Sequence, residues 1–383
     1  MERYLKSKIC QDLPHKIVLV MGARQCGKTT LARSLYPTYD YYNFDALQDR
    51  QTLLKQSWDR RKPLIIFDEL HKMKQWKRWL KGIYDTEGIP PELLVTGNAR
   101  LDTFTKVGDS LAGRYFQFHL HPLDLKELVQ FSTENPVVLF QRLYECSGFP
   151  EPYLKGTPVY YKRWRTTHLD IILRQDLIDL YTVQDLKTIE TLILLLKERV
   201  GSSVSYSNLA RDLQKDVSTI KRWLQILENL YVIYRVTPYS QKIARSLLKE
   251  PKFYFYDHNH AENNEGAKLE NLVANALLKE LDFIRDTLGE RVGLYYLRTK
   301  EGKEIDFLVS INNKPTHMIE VKTQEEQPTP SFAHFLKFLP NTQAIQLVKN
   351  IRREKTYPSG VEVRELVPWL ASMNLLSHNV NSK

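Results

Sequence analysis

A glycine-rich segment that follows an apolar run constrains the fold of this chain more than any other part of its sequence. The run Lys16–Met21 reads KIVLVM, and the next segment, Gly22–Thr29, reads GARQCGKT. This segment fits the pattern G-x-x-x-x-G-K-[ST], and a helix is predicted near Thr29–Leu35. A buried strand, a glycine loop and a helix in this order present backbone N–H groups to an anion. The sequence therefore predicts a phosphate-binding loop.

The last residues of the loop have predicted roles in binding a nucleoside triphosphate. Lys28 is expected to reach the β- and γ-phosphates, and the Thr29 hydroxyl is expected to bind Mg²⁺. ATP with Mg²⁺ is therefore the predicted ligand. The residues predicted to contact it are Gly22, Ala23, Arg24, Gln25, Cys26, Gly27, Lys28, Thr29 and Thr30.

An acidic pair ends a second apolar run, Leu64–Glu69, which reads LIIFDE. Asp68 is expected to hold Mg²⁺, directly or through water, and Glu69 to orient or deprotonate the attacking water. An acidic pair at a strand end is by itself a common surface feature. The phosphate loop upstream makes the catalytic interpretation the preferred one.

Two further positions are candidates for the chemistry of phosphoryl transfer. Thr96 or Asn98, at the end of another apolar run, can sense the γ-phosphate or position water. Arg114 can stabilise the charge that builds on the transferred phosphoryl group, either within the chain or across a subunit interface. The alternative for Arg114 is a surface ion pair with an acid.

The first third of the chain alternates strands with helices, which indicates a doubly wound parallel sheet. Further strands are predicted at Tyr41–Phe44, Pro63–Phe67, Leu93–Thr96 and Tyr115–Leu120. The residues from Leu123 to Leu196 are predicted to be mostly helical, and a separate α/β unit is predicted after them. The predicted boundaries are 1–128 for an ATPase domain, 129–200 for a helical lid or linker, 201–250 for a winged helix-turn-helix and 251–383 for the C-terminal α/β domain.

The charge and the apolar content of the chain indicate which partners and which cellular compartment to expect. The chain has 55 Lys and Arg against 45 Asp and Glu, a formal net charge of +10, which favours polyanions such as nucleic acid. Three widely spaced cysteines form neither a disulfide framework nor a zinc site. The N-terminus has no secretory apolar region, and no apolar run is long enough to span a bilayer. A cytoplasmic protein without membrane contact is therefore expected.

The region near residue 210 has the spacing of a helix-turn-helix followed by a strand. An apolar stripe at helical spacing leaves a polar face that is available for DNA; alternatively, the motif only packs against other domains. The stripe consists of Val217, Ile220, Leu224 and Leu227. The polar face consists of Ser218, Thr219, Lys221, Arg222 and Gln225, and the positive charge downstream of it comes from Arg235, Lys242, Arg245, Lys249 and Lys252.

Acids and a lysine in the last third form a second candidate site. Glu270 lies on a predicted helix, and Asp306 lies on a predicted strand. Glu320 and Lys322 are two apart on a strand, so they share a face. Asp306 and Glu320 are candidate Mg²⁺ ligands, and Lys322 then helps to activate water for phosphodiester cleavage. The order of these residues resembles the restriction-endonuclease-like fold; the alternative is a buried Asp–Lys pair that is only structural.

The motifs GARQCGKTT, LIIFDEL, LLVTGNA and SLAGRY, in this order, resemble those of the prokaryotic AAA-like ATPases, relatives of the archaeal-type P-loop ATPases. The resemblance implies ATP binding by a P-loop domain, with Asp45 near the nucleotide. It also implies a restriction-endonuclease-like C-terminal domain with matching acids and lysine. Members usually carry Ser where this chain has Asn98, which leaves the sensing role of that position open.

Three functions are consistent with these features. The first is Mg²⁺-dependent ATP hydrolysis coupled to a DNA-associated C-terminal module. The second is an ATP-switched regulatory or scaffold protein with little turnover and a protein partner. The third is an ATP-gated DNA nuclease. A homo-oligomer is expected if Arg114 acts across subunits.

Overall fold

The computed structural model describes residues 2–98, 111–177, 185–240, 250–261 and 264–376 of the chain. Within these residues, the N-terminal part holds a five-stranded parallel sheet of order β2-β3-β4-β1-β5. Its strands are β1 Ile17–Met21, β2 Asp40–Asn43, β3 Leu64–Asp68, β4 Glu92–Gly97 and β5 Tyr115–His119. Its helices are α1 Lys6–Asp12, α2 Lys28–Arg33, α3 Leu47–Lys55 and α4 Trp76–Glu87, with a 3-10 turn at Leu70–Lys72. The predicted doubly wound sheet is confirmed.

Strand β1 lies inside this sheet, between β4 and β5, and every one of its side chains is apolar. All five of its residues are buried, as in a strand that is covered on both faces. Its last residue, Met21, is in register with Gly97 of β4 and His119 of β5. The three strands therefore end at the same edge, which is where the phosphate loop begins.

The region after the sheet is helical, as the sequence predicts. Three of its helices begin with proline, which suits the first turn because the missing N–H has no partner there. The helices are α5 Leu125–Phe131, α6 Pro136–Cys146, α7 Pro150–Lys155, α8 Pro158–Ile171, a π-helical turn Ile172–Asp176 and α9 Leu186–Lys197.

The described remainder of the chain is built on an eight-stranded mixed sheet of order β12-β13-β11-β10-β9-β8-β6-β7. Its strands are β6 Ile233–Pro238, β7 Lys252–Phe255, β8 Val292–Arg298, β9 Glu304–Ile311, β10 Lys314–Lys322, β11 Gln343–Val348, β12 Lys355–Thr356 and β13 Val361–Glu365. Its helices are α10 Tyr206–Asp212, α11 Val217–Asn229, α12 Glu265–Leu288, α13 Pro330–Phe335 and α14 Leu366–Ser372, with a 3-10 turn His258–Ala261. Strand β6 pairs with β7 and β8, so this sheet crosses the boundary predicted between 250 and 251.

Helix α12 connects the two sheets. It packs against β5 of the parallel sheet and also against β7, β8 and β10 of the mixed sheet. Its buried apolar side chains belong to the same core as those of β1 and β3. Among the helices of the described ranges, none is long and apolar enough to cross a bilayer.

Candidate active site

A cavity of about 690 Å³ opens at the edge of the parallel sheet where β1, β3 and β4 end. This volume is typical of small-molecule sites, which measure roughly 300–1,000 Å³. One wall is apolar and is formed by Leu123, Pro150 and Leu154. The predicted site residues that line the cavity are Arg24, Gln25, Gly27, Lys28, Thr29, Thr30, Asp45, Asp68, Glu69 and Asn98.

Two glycines of the loop have a steric reason for their identity. A Cβ atom on Gly22 would lie 2.1 Å from the carbonyl oxygen of Leu120, so a side chain is excluded. Gly27 has a φ of +97°, in the left-handed region that glycine adopts at little cost. Ala23 and Cys26, which belong to the loop, have buried side chains. The loop is therefore closed tightly against the strand edge.

The ammonium group of Lys28 lies inside the loop. Its Nζ donates to the carbonyl oxygens of Gly22, at 3.0 Å, and Ala23, at 2.7 Å. The side chain is buried and also lines the cavity. A charged donor is thus fixed beside the space that the loop encloses.

Asp68 accepts hydrogen bonds from three side chains of the described residues. Thr29 Oγ1 lies 2.8 Å and the Tyr41 hydroxyl 2.6 Å from Asp68 Oδ2, while Thr96 donates to Asp68 Oδ1. The structure therefore brings together Thr29 and Asp68, the two predicted Mg²⁺ ligands of this site. Hydroxyl and carboxylate oxygens are the ligands that Mg²⁺ prefers, so these residues fit the ion.

Tyr41 is a residue of the site that sequence reasoning missed. Burial raises the pKa of its hydroxyl, and the hydrogen bond to Asp68 raises it further. The guanidinium of Arg33 lies 3.9 Å from the centre of the tyrosine ring. The only sequence signal was a tyrosine within the predicted second strand, which pairs with the strand that carries Asp68.

Glu69 is buried in a strained backbone conformation, with a φ of +56°. The Asn98 amide donates to its Oε1. Its Oε2 lies 3.6 Å from His71 Nε2 and has no hydrogen-bond partner among the described residues. Burial raises the pKa of Glu69 to about 7, while Lys28 opposes this rise and Asp68 adds to it. A carboxyl group whose pKa lies near neutrality is suited to general-base work.

Comparison with known families assigns the three parts of the chain. Residues 14–129 match the family model of an AAA domain. This part of the chain is thus similar to an AAA domain. Residues 138–261 and 265–369 match two domains of unknown function, DUF8612 and DUF4143. The resemblance drawn from the sequence motifs is therefore confirmed, and the AAA domain indicates nucleotide binding and hydrolysis as the class of function.

Relatives of similar length have no assigned activity. An uncharacterised protein of Haemophilus influenzae is 24% identical over 404 aligned positions, which cover 96% of this chain and 98% of the relative. An uncharacterised protein of Methanocaldococcus jannaschii is 25% identical over 367 positions, covering 85% and 80%. A solved structure of RuvB from Thermotoga maritima is 17% identical, covers 60% of this chain and 86% of its own, and gives a TM-score of 0.32.

The phosphate loop is also hydrogen-bonded to the helical region. Arg24 Nη1 lies 2.6 Å from Asp176 Oδ1, and Arg24 Nη2 lies 3.1 Å from Gln175 Oε1. The ring of His168 lies 3.1 Å from the carbonyl oxygen of Arg24. Gln25, the next residue, has a φ of +61° and lines the cavity. Arg24 therefore faces a helix as well as the predicted ligand.

Arg114 lies away from the cavity. Its guanidinium pairs with Asp85 at 2.7 Å on the surface. The next residue, Tyr115, is in register with Ile17, the first residue of β1, whereas the cavity lies beyond the last. At roughly 3.3 Å per residue, the length of β1 separates the two edges by about 13 Å. Catalysis by Arg114 within its own chain is thus contradicted, and a role across subunits stays a prediction.

In the C-terminal domain, Lys252 lies among carboxylates of the described residues. Its Nζ is 2.6 Å from Glu304, 3.3 Å from Glu270 and 3.8 Å from Asp306, and its side chain is 1% exposed. Lys252, which was counted among the positive charges downstream of the helix-turn-helix, therefore adds none to the surface, because its charge is buried and matched by acids. Burial and the charge of Asp306 raise the pKa of Glu270 to about 7, against the opposing effect of Lys252.

Asp306 and Glu320 lie side by side on neighbouring strands. Asp306 Oδ2 accepts from the N–H of Val321 at 2.9 Å, and Glu320 Oε2 accepts from the N–H of Asp306 at 3.1 Å. Lys322 Nζ lies 3.0 Å from Glu320 Oε1. In the described part of the chain, no group of three or more His, Cys, Asp or Glu side chains is placed to hold a metal. The structure nevertheless brings Asp306, Glu320 and Lys322 together, and metal binding by the two carboxylates stays a prediction.

Two helices, α10 and α11, lie in the region where the winged helix-turn-helix is predicted, and the winged helix itself stays a prediction. On α11, Ser218, Lys221 and Arg222 are exposed, whereas Thr219 and Gln225 are half-buried. The ammonium of Lys221 lies 5.5 Å from the ring centre of Tyr206. Outside the described residues lie Ser110 of the SLAGRY motif and the basic residues Lys242, Arg245 and Lys249. Arg235 pairs with Glu228 at 3.0 Å.

Proposed function

We propose that this chain is a Mg²⁺-dependent ATPase. One observation carries the proposal: the Thr29 hydroxyl and the Asp68 carboxylate meet at 2.8 Å beside the loop that holds Lys28. Thr29 and Asp68 would hold Mg²⁺, which would neutralise phosphate charge when bound. The loop N–H groups bind phosphate oxygens, and Lys28 exchanges its carbonyl partners for the β- and γ-phosphates. Glu69 orients the attacking water and takes its proton.

Phosphate release from ATP tests this proposal directly. Lys28→Ala removes the charged donor and is expected to lower turnover by about 10²-fold or more. Glu69→Gln keeps the shape of the side chain and is expected to keep nucleotide binding but to abolish turnover. Lys74→Ala, which removes an exposed lysine of the same domain, is the matched control and is expected to behave like wild type. Unchanged turnover in Lys28→Ala would refute the mechanism.

A second candidate function is an ATP-switched protein with little turnover, and the bond from Asn98 to Glu69 favours it. This bond occupies Glu69 Oε1 and restrains the side chain, which leaves only Oε2 to orient water. Asn98→Ala separates the two functions. If Asn98 restrains Glu69, turnover rises in this variant; if Asn98 senses the γ-phosphate, turnover falls. Very low turnover in wild type that Glu69→Gln does not change further supports the switch.

We also propose that the exposed face of α11 contacts DNA. Ser218, Lys221 and Arg222 are exposed on one helix of a chain with a net charge of +10. Phosphate contacts make binding salt-dependent, so Arg222→Ala is expected to weaken binding to duplexes of any sequence and to reduce the salt slope by about one. We do not propose nuclease activity, since Lys252 occupies the described acid cluster.

If Arg114 takes part in catalysis, the protein must form a homo-oligomer. The residue pairs with Asp85 on the surface, 13 Å or so along β1 from the cavity edge, so only another subunit can use it. Sedimentation with and without ATP tests for assembly. Turnover of Arg114→Ala in an assembled sample then tests whether Arg114 acts across subunits. Wild-type turnover in that variant would exclude a catalytic role for Arg114.

A further inference from the structure

Arg3 lies before the matched AAA domain, and yet it contacts the phosphate loop. Its Nη1 donates to the carbonyl oxygen of Cys26 at 2.7 Å, and its Nη2 donates to the carbonyl oxygen of His121 at 2.6 Å. A Cβ atom on Gly27 would lie 3.3 Å from the same Nη1. The guanidinium, which is buried and lines the cavity, therefore fixes the loop next to Lys28.

Glu127 joins this arginine to the C-terminal domain. Arg3 Nε donates to Glu127 Oε1 at 2.7 Å, and Lys279 Nζ of α12 donates to Glu127 Oε2 at 2.6 Å. Lys279 also donates to Asp124 at 2.7 Å. These four side chains are all buried, at 2–8% exposure, so the bonds between them are not screened by solvent. A continuous buried chain of charges runs from the phosphate loop to α12.

We propose that Arg3 is a positioning residue for the phosphate loop, and that Glu127 and Lys279 couple the loop to α12. The inference rests on the proposed nucleotide binding. Any shift of the Cys26 carbonyl when phosphates enter moves an acceptor of Arg3, whose planar fork of donors leaves little freedom to compensate. The same shift acts on Glu127 and therefore on Lys279. Coupling of this kind is reciprocal, so a change at Lys279 alters the affinity for nucleotide.

A neighbouring ion pair provides a matched control. Lys126 Nζ lies 2.7 Å from Glu280 Oε2 and bridges the same two helices, α5 and α12. Neither residue contacts Arg3 or the loop in the contacts of the described residues. Lys126→Met and Lys279→Met therefore remove the same charge from the same interface, and only the second one interrupts the connection.

Binding of fluorescent N-methylanthraniloyl-ATP with Mg²⁺, and its turnover, test the positioning role. Arg3→Ala is expected to weaken binding by about tenfold, the scale of one hydrogen bond to a charged group. Arg3→Lys is expected to fall between this variant and wild type. The KM for ATP rises while kcat stays within about twofold, because Arg3 acts on binding rather than on the reacting atoms. Wild-type KM in Arg3→Ala would overturn the role.

Amide hydrogen exchange of the full-length protein tests the coupling. ATP with Mg²⁺ is expected to change exchange in the middle of α12, residues 276–283, in wild type and in Lys126→Met but not in Lys279→Met. If Lys279→Met does not fold, the wild-type protein still tests the coupling. Unchanged exchange in α12 of wild type on saturation with ATP would overturn it. Absence of ATP binding by wild type is a different result: it refutes the proposed function itself.

Discussion

The charge of Glu127 makes a measurable contribution to folding. Burial alone would raise the pKa of Glu127, but the charges of Lys279 and Arg3 outweigh that effect and lower it to about 2. The substitution Glu127→Gln removes the negative charge and keeps the shape of the side chain. It leaves two buried cations, Arg3 and Lys279, without their shared partner.

The lowered pKa gives the size of the effect. A fall of the pKa from the ordinary value of 4.5 to about 2 corresponds to about 3 kcal/mol of stabilisation. Breaking a buried ion pair by removing one partner costs a similar amount, about 3–5 kcal/mol. We therefore expect Glu127→Gln to lower the free energy of unfolding by about 3 kcal/mol at pH 7.

The pH dependence separates this charge effect from lost packing. Because the pKa is lower in the folded state, the stabilisation is complete above the unfolded pKa of 4.5. It is lost as the pH falls towards 2. Linkage gives about 2 kcal/mol at pH 3.5, so the difference in unfolding free energy between wild type and Glu127→Gln should narrow by about 1 kcal/mol between pH 7 and pH 3.5.

Urea unfolding at both pH values, followed by tryptophan fluorescence and circular dichroism, measures the gap. Glu280→Gln is the control, because burial raises the pKa of Glu280, with Lys126 opposing the rise. A raised carboxyl pKa destabilises the folded state at neutral pH, so the control is expected to show a pH trend of the opposite sign. A gap for Glu127→Gln that stays constant with pH would show that the loss is steric rather than electrostatic.

Three shorter predictions concern other positions. Gly22→Ala is expected to abolish ATP binding in calorimetry, because its Cβ would meet the Leu120 carbonyl at 2.1 Å; normal binding would show that the loop can shift. Lys252→Met leaves carboxylates buried without their cation and should cost about 3–5 kcal/mol in urea unfolding, whereas a neutral result would mean that the acids are protonated. Tyr41→Phe removes one of the donors to Asp68 and should lower the free energy of unfolding by only about 1 kcal/mol. It should also change the Mg²⁺ concentration that gives half-maximal turnover. An unchanged Mg²⁺ requirement would place Tyr41 outside the site.

The parallel sheet and the loop were predictable because their signals are local. Strands β1, β3 and β4 contain short apolar runs, and the loop pattern lies within a single segment, Gly22–Thr29. The acids at the end of β3 could be placed beside the loop because parallel strands end at one edge. Asn98 was found for the same reason, although its bond to Glu69 was not foreseen.

The features that the sequence did not reveal depend on pairs that are distant in the chain. Arg3 and Glu127 are 124 residues apart, and Glu127 and Lys279 are 152 apart, so no periodicity connects them. Lys252 was counted among the positive charges downstream of the helix-turn-helix, because a sequence records charge but not the direction in which a side chain points. The register of β7 in the mixed sheet places that lysine inside the protein.

The two arginines that hold the phosphate loop differ in what they connect to it. Arg3 binds the loop through the Cys26 carbonyl and continues to α12, whereas Arg24 lies in the loop itself and binds Asp176 in the helical region. A loop that rearranges around phosphates therefore acts on both neighbours at once. Loss of the Arg24 contact should change the response of the helical region but leave that of α12 intact, and Lys279→Met should do the reverse. Hydrogen exchange that responded identically in the two variants would mean that the domains move as one body, and that neither arginine directs the motion.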